Sequence, residues 1–99
     1  MNLFEKAAEL QMTNTAFAMV TIMKSEGSTP RSQAKMIVLA DGASYGTVGG
    51  GASEFEAISQ ARMLIAQQRN DVMKMSLAVA EGHACGGEVQ LFIEVFPPL

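Results

Sequence analysis

The chain has 99 residues, 48% of them apolar and 17% charged, which is enough to fold as one domain around one hydrophobic core and too apolar for a disordered segment. Its net charge of −3 and pI near 5.0 argue against nucleic acid or an anionic membrane as the main partner. No apolar run approaches the ~20 residues that span a bilayer, and the opening MNLFEKAAELQ, with two glutamates, is not a secretory signal; a soluble cytoplasmic protein is expected.

Residues 2–12 place Leu3, Ala7 and Leu10 on one face and Glu5, Lys6 and Glu9 opposite, behind a capping Asn2, which predicts a short amphipathic helix. Residues 15–27 are rich in β-branched and aromatic side chains and end in a glycine-containing turn, so they read as a buried strand. STPR (28–31) is a loop, because Pro30 cannot donate to a sheet ladder. AKMIVLA (34–40) is the second strand, Asp41-Gly42 a tight two-residue turn, and SYGTV (44–48) the hairpin partner.

Residues 52–69 repeat apolar positions at Phe55, Ile58, Ala61, Met63, Leu64 and Ile65. Glu54 and Glu56 fall in the first turn, and Arg62 and Arg69 lie toward the end, matching the dipole of a helix closed by Asn70-Asp71. Strands follow at 72–80 and 88–96 around a loop at 81–87, and Pro97-Pro98 ends the last one. Eight methionines and no tryptophan point to a core filled by flexible side chains. The expected fold is α/β (α+β): a single small mixed sheet of about five strands, an N-terminal helix and one crossover helix that returns strand four parallel to strand three.

In that topology the loops at 25–31, 48–52 and 81–87 leave one edge of the sheet, carrying Ser28, Thr29, Arg31, Gly49, Gly50, Gly51, His83, Cys85, Gly86 and Gly87. A helix N-terminus behind three glycines offers bare amides and partial positive charge, an anion site for which Arg31 is a second contact. The same glycines serve equally well as a strained turn or a close strand–helix contact, and the run matches neither the Walker-type loop nor GxGxxG. Cys85 is the only cysteine, so no internal disulfide can form. An isolated cysteine is more often a small buried apolar residue than a reactive thiol. His83 and Cys85 supply two ligands where a closed zinc site needs four, and residues two apart seldom align as nucleophile and base. No catalytic constellation or metal site is expected.

KSEGSTPR (24–31) followed by AKMIV (34–38), DGASYGTVGGG (41–51) followed by Glu54, and GHACGGEVQLFIE (82–94) together resemble the N-terminal domain of the XdhC/CoxI family, the xanthine dehydrogenase accessory factors. The resemblance implies an accessory protein that binds the molybdenum cofactor (molybdopterin), assists its sulfuration and delivers it to a molybdenum hydroxylase apoenzyme. It implies that Ser28, Thr29 and Arg31 line the pocket, that Gly49 to Gly51 and Gly86-Gly87 admit the cofactor, and that Cys85 touches molybdenum or sulfur. Two departures stand out. Ala52 occupies the position after the three glycines where members carry cysteine, removing one candidate sulfur ligand. Full-length members also continue into a Rossmann-like domain, which a separate accessory protein can supply. A non-catalytic interaction or dimerisation module whose glycine loops are structural, contacting a partner enzyme or a copy of itself, and a Cys85-dependent sulfur-transfer protein are the alternative readings, and a homo-oligomer is expected.

Overall fold

The computed structural model describes residues 2–25, 34–48, 51–77 and 87–98. Its elements are α1 (Leu3–Met12), β1 (Phe17–Ser25), β2 (Lys35–Leu39), β3 (Ser44–Gly46), α2 (Gly51–Gln67), β4 (Asp71–Leu77) and β5 (Gly87–Phe96), an α+β arrangement with a single five-stranded sheet. α1 starts at a reciprocal cap. Asn2 Oδ1 accepts from the Glu5 amide at 2.8 Å, and the Glu5 carboxylate accepts from the Asn2 amide at 2.9 Å.

The strand order is β3-β2-β1-β5-β4, and every neighbouring pair is antiparallel. β1 pairs with β2 from Phe17↔Leu39 to Thr21↔Lys35, and with β5 from Phe17↔Phe96 to Ser25↔Val89. β3 and β4 run in the same direction, as expected, but at opposite edges, so the expected mixed pairing is replaced by a wholly antiparallel one. The reason is burial. β1 and β5 both carry large apolar residues and gain most by lying side by side, which displaces β4 outward.

The β2–β3 connection differs from the expected two-residue turn. The Gly42 amide donates to the Leu39 carbonyl at 2.9 Å and the Leu39 amide to the Ala43 carbonyl at 2.8 Å, which leaves Ala40, Asp41 and Gly42 as a three-residue loop. Gly42 takes the positive φ (+94°) that such a loop requires.

Alternation along the strands gives the sheet two apolar faces. Ala18, Val20 and Ile22 of β1, Met36 and Val38 of β2, and Val89, Leu91 and Ile93 of β5 pack against Ala57, Ala61, Leu64 and Ile65 of α2. Phe17 and Ile37 pack with Leu10 of α1 on the other face, joined by Leu3, Ala7, Met19, Leu39 and Phe96, and the Phe17 and Phe96 rings stack at 4.9 Å. The buried stripe of α2 therefore begins at Ala57 rather than Phe55, which is 74% exposed, and Met63 is also exposed. The alanines let the helix lie close on the sheet beside Leu64 and Ile65, and Phe55 and Met63 point away from it.

Arg62 does not serve the helix end. It lies mid-helix, and its Nε donates to the Ala40 carbonyl at 3.0 Å, tying α2 to the β2–β3 loop. Arg69 stands past Gln67 and pairs with Asp71 at 3.0 Å.

Gly46 closes β3 with φ +84°, and a Cβ there would stand 2.7 Å from the Lys35 carbonyl oxygen and 3.2 Å from Leu3 Cδ1. Gly46→Ala is expected to destabilise the domain by about 1–3 kcal/mol, read as a lower urea midpoint at unchanged slope. An unchanged midpoint would show that β3 relaxes without cost.

Candidate functional site

Antiparallel alternation decides which element ends share a rim. β1 ends at Ser25, β2 begins at Lys35, β3 ends at Gly46, α2 begins at Gly51, β4 ends at Leu77 and β5 begins at Gly87. The pairings Ser25↔Val89, Thr21↔Lys35, Met36↔Gly46 and Leu77↔Gly87 put the strand ends at one side of the sheet. A helix of 17 residues is about 25 Å long, so α2 starts at this rim and carries the chain back to Asp71 at the other. The opposite rim holds Phe17, the Ala40–Gly42 loop, Asp71 and Phe96.

The segments singled out in the sequence are thus anchored at one rim. Gly51 is the first residue of α2, and Gly87 the first of β5. Ser28, Thr29, Arg31, Gly49, Gly50, Cys85 and Gly86, together with His83, lie outside the described residues.

Two features of the rim have no clear signature in the sequence. Glu54, in the first turn of α2, accepts from the Thr47 hydroxyl at 2.5 Å and from the Val48 amide at 3.4 Å. An acid placed by its helix dipole is thus also a brace, joining the exit of the β2–β3 hairpin to α2 across Gly49 and Gly50. Its position in the first turn was legible, but its contact with the hairpin was not. Second, the β1–β5 register shifts between Ile22↔Leu91 and Lys24↔Gln90, so Met23 is the extra residue of a β-bulge two residues before β1 ends. Bulges bend and twist a strand locally and are common beside functional sites.

The rim's described electrostatics are those of a helix start. The first turn of α2 lies at the positive end of the helix dipole. The displaced acidities belong elsewhere. The Val72 amide (2.8 Å) and then the Arg69 guanidinium hold Asp71 below the usual carboxylate range, and a hydrogen bond to Glu9 raises the Lys6 ammonium. Both are surface pairs on other parts of the domain. Among the described residues no group of three or more His, Cys, Asp or Glu could hold a metal ion, and no helix is long and apolar enough to cross a membrane.

A small α+β module with glycine-bearing connections at one rim is the class that this geometry defines. Residues 10–76 match the XdhC and CoxI family, and the chain belongs to that family. It is 40% identical to the uncharacterized Escherichia coli (strain K12) protein YqeB, over 96% of this chain and 18% of that protein. A solved Bacillus halodurans structure described as a xanthine dehydrogenase superposes with a TM-score of 0.77 at 24% identity, over 96% of this chain and 30% of that one, a likeness of fold. The chain therefore spans less than a third of the length of either protein.

Glu54→Ala removes the brace. Its expected signature is faster hydrogen exchange at the Val48 amide and a loss of about 1 kcal/mol in stability, the scale of one hydrogen bond to a half-exposed carboxylate. Unaltered exchange at Val48 would show that the glycine junction holds without Glu54.

Proposed function

We propose that this chain is a cofactor-holding accessory module. In this reading it binds the molybdenum cofactor at the rim from which residues 26–33, 49–50 and 78–86 depart, and holds it for insertion into a molybdenum hydroxylase of the xanthine dehydrogenase type, with no turnover of its own. The observation that supports it is the anchoring of three chemically distinctive segments at one rim, beside the start of α2.

The cofactor ends in a phosphate, and the described part of the rim fits an anion: backbone amides at the α2 start, with glycine and not a larger residue at position 51. Gly49, Gly50 and Gly51 would hold the phosphate, with Arg31 as a charge-assisted partner and Ser28 and Thr29 as hydroxyl contacts. Gly86 and Gly87 would leave room for the pterin, and the Cys85 thiol would face the molybdenum or its sulfur. The bound cofactor supplies the metal chemistry; the chain binds, orients and shields it. Ala52 leaves Cys85 as the one thiol of the chain. The client apoenzyme and a separate Rossmann-domain protein are the partners in this reading.

Purified chain mixed with released molybdenum cofactor at micromolar protein is expected to retain the cofactor through gel filtration. Gly50→Leu should reduce retention at least roughly tenfold, the scale of one lost close approach, without altering the unfolding midpoint. Phe55→Ala, on the exposed side of α2, should retain it normally. No retention by the unaltered chain would contradict the proposal.

A further inference from the structure

Only Gly49 and Gly50 stand between Val48 and the start of α2, and the chain is anchored on both sides of them. On the hairpin side, Val48 is buried in the same apolar cluster as Ala57, Ala61 and Leu64 of α2. On the helix side, a single oxygen of Glu54, Oε2, accepts from both the Thr47 hydroxyl (2.5 Å) and the Val48 amide (3.4 Å). This is not the reciprocal cap that opens α1, in which Asn2 and Glu5 are three residues apart. Glu54 reaches back six residues to Val48 and so closes a ring around the glycine pair.

Glycine has more backbone freedom to lose on ordering than any other residue. A ligand that must order such a segment binds less tightly, and a segment fixed beforehand avoids that loss. A carboxylate accepting from a hydroxyl makes a charge-assisted bond, stronger than a neutral one, which suits a clamp. Its charge does not suit an anionic guest, which it repels. The use of Glu54 at this rim therefore lies in where it holds the chain. α2 is tied to the β2–β3 hairpin a second time, toward the other rim, where Arg62 Nε donates to the Ala40 carbonyl at 3.0 Å. The two ties are alike in kind, but only that of Glu54 spans Gly49 and Gly50.

We propose, on the cofactor reading above, that Glu54 is a positioning residue for the rim. Through Thr47 and Val48 it presets the Gly49-Gly50 backbone for the anionic end of the cofactor, without touching the cofactor itself. Because its part is geometric, a neutral side chain of the same shape serves as well: the carboxamide oxygen in Glu54→Gln accepts the same two bonds and repels nothing.

The test measures two quantities on the 99-residue chain and on Glu54→Ala, Glu54→Gln, Thr47→Val and Arg62→Met: retention of released molybdenum cofactor, and the ¹⁵N order parameters of Gly49 and Gly50 in the free chain. Glu54→Ala is expected to lower both order parameters and to weaken retention by roughly fivefold, the scale of one hydrogen bond. Glu54→Gln should match the unaltered chain in order and retain the cofactor at least as well. Thr47→Val should move both readouts in the direction of Glu54→Ala, and the two combined should do no more than Glu54→Ala alone. Arg62→Met should lower the urea midpoint and leave both readouts unchanged, which separates positioning from stability. Retention or glycine order indifferent to Glu54→Ala, a Glu54→Gln variant as poor as Glu54→Ala, or an equal loss of retention in Arg62→Met would overturn this proposal and leave the cofactor reading standing. No retention by the unaltered chain would overturn both.

Discussion

The structure depends on β1 being buried on both faces and paired on both edges. Phe17 packs toward α1 while Ala18, Val20 and Ile22 pack toward α2. A strand apolar on both sides belongs in the middle of a sheet with both faces covered. Once β1 is central and both its neighbours run antiparallel to it, every exit from β1, β3 and β4 and every entry to β2 and β5 falls at one rim. The rim's chemistry is thus a consequence of packing: the residues that fill the core decide where the glycine-rich and thiol-bearing segments are anchored.

Much of this was legible in the residues. The Asn2 cap, the positions of both helices and the five strands, and the shared rim all follow from local pattern, because caps, alternation and hairpin signals act over a few residues. Neighbour choice in the sheet was not legible. Whether β5 or β4 lies beside β1 is a contest between whole strands for burial, and the alternating β4 and β5 sequences suit either place. The apolar positions of α2 misled at Phe55 and Met63 for a related reason: a close helix–sheet contact selects small side chains such as Ala57 and Ala61, and size is invisible to a hydrophobic periodicity. Arg62 reads as a charge at a helix end but acts as a donor to the Ala40 carbonyl, a contact 22 residues away in sequence. Of the candidate site, the anchoring of its segments and the places of Gly51 and Gly87 are structural facts, and the contacts of Ser28, Thr29, Arg31, Gly49, Gly50, Cys85 and Gly86 belong to the proposal.

The domain divides its surfaces. One rim gathers the segments on which the family resemblance rests, braced by Glu54 where the hairpin passes into α2. Among the described residues one sheet face is closed by α2 and the other is half closed by α1, which carries a second, exposed apolar stripe.

The most direct test of a rim-centred site is to follow the backbone amides of isotope-labelled chain by NMR as molybdenum cofactor is added. Shifts concentrated at residues 25–31, 48–52 and 81–87, with saturation at one cofactor per chain, are the predicted result. Shifts centred on Ala7, Gln11, Met19 and Glu94, or spread evenly over the domain, would contradict it.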